Sequence, residues 1–146
     1  MTEEMMQYVN RTNNLHQEII SSLEKQEEYI LWLVLGSIQV HVVYKEKALL
    51  PKFLEFDNLL NTLHMCFKRD LHDLLEDASE IDCFDLMDWS QRIEDFFKEM
   101  ARLELVFIVE LDRYIGNTHR RGRLWDKWNH RQMMTIGDQT DRINNF

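Results

Sequence analysis

The chain has 146 residues, of which 45% are hydrophobic, and a formal net charge of −9; domains most often run to about 100–150 residues, so one core and one domain are expected over the whole length. One proline and four glycines leave too little turn material for an all-β fold of this size, which favours helices. Two cysteines, Cys66 and Cys83, lack any CxxC spacing, which speaks against a disulfide framework and for reduced thiols.

The opening stretch MTEEMMQYVN carries acids where a secretory signal carries bases, and no apolar core follows it directly; a cytoplasmic location is the expectation. Leu15, Ile19, Leu23, Gln26, Ile30 and Leu33 then recur at helical spacing, which predicts an amphipathic helix. From Ile30 to Val43 the pattern turns almost wholly apolar for 14 residues, interrupted by Ser37, Gln39 and His41. A membrane-spanning helix wants about 20 apolar residues, so no membrane partner is expected and this run predicts a buried core helix. Gly36 and Ser37 are the places where it would bend or divide. The alternation in IQVHVVY is also compatible with a strand, but a lone strand would leave its backbone groups without partners, and helix is preferred. A helix that is apolar all round belongs in the centre of a bundle or in a subunit interface; the second alternative predicts a homodimer.

Pro51 suits the first turn of the next helix, where its missing N–H would have no partner. Phe56, Leu60, Leu63, Phe67, Leu71, Leu74 and Ala78 mark the apolar face of that helix, predicted over about residues 51–77. The clearest periodicity follows, with Leu86, Trp89, Ile93, Phe96, Met100, Leu103, Phe107, Leu111 and Tyr114 predicting one long helix over about 85–115, stopped near Gly116 and Asn117. The short connection ASEIDCFD makes these two helices an antiparallel hairpin. A shorter helix near 123–135 completes the set. The expected fold is all-α, an up-and-down antiparallel bundle of about four helices.

Residues that carry chemistry are sparse. His72 and Glu76 lie four apart, the spacing of a surface pair on one helix face. A di-iron bundle needs Glu-x-x-His motifs, and the chain has none; nor has it a His-x-x-x-His pair. The acidic run EDASEIDCFDLMD lacks the glycine and the ligand spacing of a calcium loop. Neither a Gly-x-Ser-x-Gly turn nor a glycine-rich phosphate loop occurs. No metal and no cofactor is therefore expected.

One segment stands apart. Residues 1–112 carry a net charge of −13, whereas residues 113–131, RYIGNTHRRGRLWDKWNHR, hold six Arg and Lys, two His and two Trp against the single acid Asp126. One or two cations suit a helix end; more than that repel one another unless carboxylates or an external anion lie opposite. Arg pairs bidentately with carboxylate or phosphate, and Trp and Arg most often anchor interfaces. The expected binding residues are Arg113, His119, Arg120, Arg121, Arg123, Trp125, Lys127, Trp128 and Arg131. An acidic body close by opposes phosphate binding, so a protein partner with an acidic or mixed surface is preferred to nucleic acid. The function read from the residues is that of a non-enzymatic regulatory or interaction protein, of inhibitor or immunity type. The acidic body acting as a decoy for a cationic partner's site is a further alternative.

Arg113 and His119, six apart near the end of the long helix, resemble the Arg-to-His motif of the HEPN ribonucleases, which are small all-α bundles. That resemblance covers seven residues. It implies a metal-independent enzyme in which Arg113 and His119 act on the RNA phosphate and 2′-hydroxyl.

Overall fold

The structure, a computed structural model, describes residues 2–25, 27–52, 58–79, 86–118 and 123–146. Among them stand five α-helices: α1 (Thr2–Lys25), α2 (Glu28–Tyr44), α3 (Asn58–Ser79), α4 (Leu86–Thr118) and α5 (Arg123–Asn144). A π-helical turn (Lys45–Leu49) and a 3₁₀ turn (Leu50–Lys52) follow α2 directly. The fold is the all-α bundle expected, with five helices in place of about four. The additional helix comes from the first apolar stretch, which divides between Lys25 and Glu28 and runs unbroken through Gly36. Ile30 and Leu33 thereby leave the stripe of α1 and take up the register of α2.

α1 packs against α5 and α2, and α4 against α3 and α5, with further contacts from α4 to α1 and α2. Neighbouring pairs give the directions. Tyr8 stacks on His41 and Tyr44 reaches Gln7, so α1 and α2 are antiparallel; Asn13 bonds Gln132 while Arg142 bonds Glu24, so α1 and α5 run parallel. Because α4 touches each of the other helices, it is the central element.

Its apolar stripe explains this position. Ile93, Phe96, Phe97, Met100, Phe107, Ile108 and Leu111 are buried, and each such side chain contributes about 1.5–3 kcal/mol on leaving water. The core has two parts. One gathers Ile19, Leu23, Leu35, Ile38, Phe67, Leu71 and Phe97; the other gathers Met5, Tyr8, Leu49, Leu60, Phe107 and Ile136.

The buried core helix expected at 30–43 is corrected. α2 does form there, and Leu31, Val34, Leu35, Ile38 and Val42 face the core, but its other side is open: Tyr29 is 70% exposed, Leu33 54%, Val40 62%, Val43 47% and Trp32 39%. α4 already fills the centre, so α2 is left with neighbours on one side only. At its C-terminal end the backbone widens. Leu50 donates its N–H to the carbonyl of Lys45, five residues back, and Pro51, which has no N–H to continue the ladder, lies in the 3₁₀ turn that follows. Among the described residues no helix is long and apolar enough to cross a membrane.

Candidate functional site

Of the residues expected to bind a partner, Arg113 is at the exposed surface of α4, with its guanidinium 3.6 Å from the Glu110 carboxylate on the same helix. Arg131 is exposed on α5, where its carbonyl accepts a hydrogen bond from Thr135. Arg123, Trp125, Lys127 and Trp128 belong to the first turns of α5 by backbone. His119, Arg120 and Arg121 lie outside the described residues, and with His119 lies the second half of the ribonuclease-like pair. The segment therefore joins the end of α4 to the start of α5. His72 and Glu76 form the expected surface pair, Nε2 to Oε1 3.0 Å.

The densest polar constellation among the described residues is one that sequence reasoning missed. Glu104, at the middle of α4, is fully buried. It accepts hydrogen bonds from the Tyr8 hydroxyl of α1 and from the Lys45 ammonium of the π-turn, and lies 3.1 Å from His41 Nε2 of α2. Three elements converge on one carboxylate. Burial works against its charge, but Lys45 and then His41 outweigh burial and hold the carboxyl below the usual range. Burial lowers the proton affinity of Lys45, an effect that Glu104 opposes. Burial and the neighbouring Glu104 together push the Tyr8 hydroxyl well above its ordinary value, so it stays protonated and donates.

Aromatic rings enclose this charge pair. Lys45 Nζ lies 4.1 Å from the centroid of Phe107 and 4.9 Å from that of Phe67, and Tyr8 stacks on His41 at 5.3 Å. The ring faces carry negative potential that favours the ammonium. Lys45, seven residues after Ile38 and three after Val42, continues the buried face of α2 into the first residue of the π-turn, and its side chain is 1% exposed. One residue on, Glu46 turns the other way and bonds Lys68 at 2.7 Å and His64 Nε2 at 3.1 Å, tying the turn to α3. Lys68 and His64 hold its carboxyl below the ordinary value.

His16 lies in the same polar interior. It is fully buried, and neither ring nitrogen has a hydrogen-bond partner. Burial lowers its pKa to about 4, against the opposing pull of Glu104. Its ring is neutral at neutral pH.

A signal for these residues existed in the sequence. Met100, Glu104, Phe107 and Leu111 keep helical spacing as well as the Leu103 series does, and a charge on an apolar face is the informative exception. Leu103 is only partly buried, while Glu104 is wholly so.

His41 also lines an open groove of about 560 Å³ between α1 and α2, whose walls include Arg11, Asn14 and Glu18 on one side and Leu33, Gly36 and Val40 on the other. A second hollow of the same volume continues it past Glu18 and Leu33 to Ser21 and Ile30. One rim is polar and the other apolar. Arg11 stacks on Tyr44 at 4.0 Å. Among the described residues no three His, Cys, Asp or Glu side chains gather in a way that would hold a metal ion. Comparison with known protein families, curated proteins and solved structures finds no match to this chain.

The Glu104 carboxylate is buried and meets Tyr8, Lys45 and His41, so it ties three elements to α4. A paired buried charge of this kind specifies which turn of α1, α2 and α4 meets which, because sliding any of them by one turn would strand an ion in the core.

Proposed function

We propose that the chain is a non-enzymatic interaction protein of the cytoplasm that regulates a macromolecular partner, presenting Arg113, His119, Arg120, Arg121, Arg123, Lys127 and Arg131 with Trp125 and Trp128 to a protein surface of acidic or mixed charge, and that it works as a homodimer. One observation carries this reading. Among the described side chains, Glu24 pairs with Arg142, Glu46 with Lys68 and Glu104 with Lys45 across elements of the body. The segment sets six cations against one acid beside a body of net charge −13, and Arg113 and Arg131, its cations with described side chains, are exposed, which supports its use toward an outside molecule.

The expected mode is guanidinium to carboxylate at the rim and indole rings in pockets at the centre. Capture from native lysate tests it, with the parent chain and the Arg120→Glu, Arg121→Glu, Arg123→Glu triple variant as baits. A partner retained by the parent and lost from the variant, with helical circular dichroism unchanged in both, is the expected result. Equal retention by both baits overturns the site. Cleavage of labelled RNA in EDTA that disappears with His119→Ala overturns the non-enzymatic reading in favour of the ribonuclease alternative.

A further inference from the structure

The open side of α2 has an order of its own. Counted from Gly36, its exposed apolar side chains lie seven residues before (Tyr29), four and three before (Trp32, Leu33), four after (Val40) and seven after (Val43). These steps keep one stripe on a helix. They are also nearly the same read in either direction, so a two-fold axis through Gly36 lays the stripe of one chain antiparallel on that of another, Tyr29 against Val43 and Trp32 against Val40. A patch that is its own complement is the requirement for a closed two-fold dimer. At the centre the helix has no side chain, and a Cβ placed on Gly36 would meet nothing within 4 Å, which lets two helices approach closely.

Charge agrees with the same axis. Tyr8 stacks on His41, so on the antiparallel helix Gly36 stands level with about Asn13 or Asn14 of α1. Arg11 and Glu18, two turns apart and both lining the groove, straddle that level. At 1.5 Å per residue the axis brings Arg11 of one copy within about 1.5–4.5 Å, along the helix, of the height of Glu18 in the other, and does so twice. The area is sufficient as well. Side chains of these sizes and exposures leave on the order of 500 Å² open per chain, so two copies together reach the roughly 1,000 Å² that a specific interface requires.

We infer that the outer face of α2, with the α1 rim beside it, is an interface for a second copy of this chain, two-fold about Gly36, with Arg11 of each copy set opposite Glu18 of the other. This deepens the homodimer part of the proposed function and rests on it.

Sedimentation velocity on the purified full chain tests the inference. A dimer is expected at micromolar concentration. Gly36→Arg and Val40→Glu each point into open space in the single chain, so both variants keep their helical signal while the dissociation constant rises by at least about thirtyfold, as for a central interface residue. Arg11→Glu and Glu18→Arg each weaken the dimer by about tenfold, and the double reversal returns it to near the parent value. A chain that stays monomeric at every concentration overturns both the face and the homodimer reading. A dimer indifferent to Gly36→Arg, or not restored by the double reversal, overturns the face alone. Docking of a helix from an unlike protein on this face of a monomer overturns the choice of occupant. None of these results alters the outcome of the capture experiment on Arg120, Arg121 and Arg123.

Discussion

Lys45 and Glu104 form an ion pair inside the bundle, each side chain 1% exposed, one supplied by a π-turn and the other by the middle of the central helix. Removing one partner strands the other charge, which for buried pairs costs about 3–5 kcal/mol. Glu104→Gln is therefore expected to destabilise the fold by that amount in urea denaturation. The Lys45→Met, Glu104→Leu double variant removes both charges together and is expected to lose much less than the sum of its single variants. A double loss equal to that sum would show that the two side chains do not act as a pair.

Buried His16 gives stability a pH dependence of definite sign. Its folded pKa is about 4, against about 6.5 for an unfolded chain. As the pH falls from about 6.5 toward 4 the unfolded chain takes up a proton that the folded one refuses, so the contribution, complete above that window, drains away by about 3 kcal/mol. His64, whose pKa burial also lowers, adds a slope of the same sign. Chemical denaturation at pH 7.5 and pH 4.5 reads the total, and His16→Leu is expected to flatten it. An unchanged slope in that variant would place the protonating group elsewhere.

Gly137 lies within α5, and a Cβ there would meet nothing within 4 Å. Glycine in a helix interior is less favourable than alanine by roughly 0.5–1 kcal/mol. Gly137→Ala is expected to raise stability by that amount and to leave the oligomeric state alone, which thermal denaturation with parallel sedimentation checks.

The Arg142–Glu24 bridge between α5 and α1 is exposed on both sides, and pairs of that kind are worth about 0–1 kcal/mol. Arg142→Ala is expected to cost no more than this, with the difference disappearing in 1 M salt, where screening acts within about 3 Å. A larger, salt-insensitive loss would mean that the arginine stem contributes packing at the α1–α5 seam.

How much of this was legible differs from element to element. The α3 and α4 hairpin could be read because Leu60, Phe67 and Leu71, and Ile93, Phe96, Met100 and Phe107, repeat at the helical period, and those side chains are buried. Gly36 and Ser37 are the conspicuous places for a bend or a division, yet α2 passes through both; α1 ends at Lys25 and α2 begins at Glu28, with no glycine or proline between them in the sequence. Tyr8, His16, Lys45 and Glu104 are buried, but polar side chains inside the bundle are gaps in an apolar pattern, so helical periodicity does not mark them.

Local sequence thus determined the all-α class, the long helices and the charge asymmetry between body and basic segment, because helix formation, capping and net charge depend on residues near one another along the chain. Only the tertiary structure decided that α4 lies at the centre, that α2 turns one apolar side outward, and that Glu104 meets Tyr8, His41 and Lys45 across as many as 96 residues. Those outcomes come from competition among several apolar faces for one interior, and from pairing a buried charge with donors on other helices, and neither is a property of any single stretch of sequence.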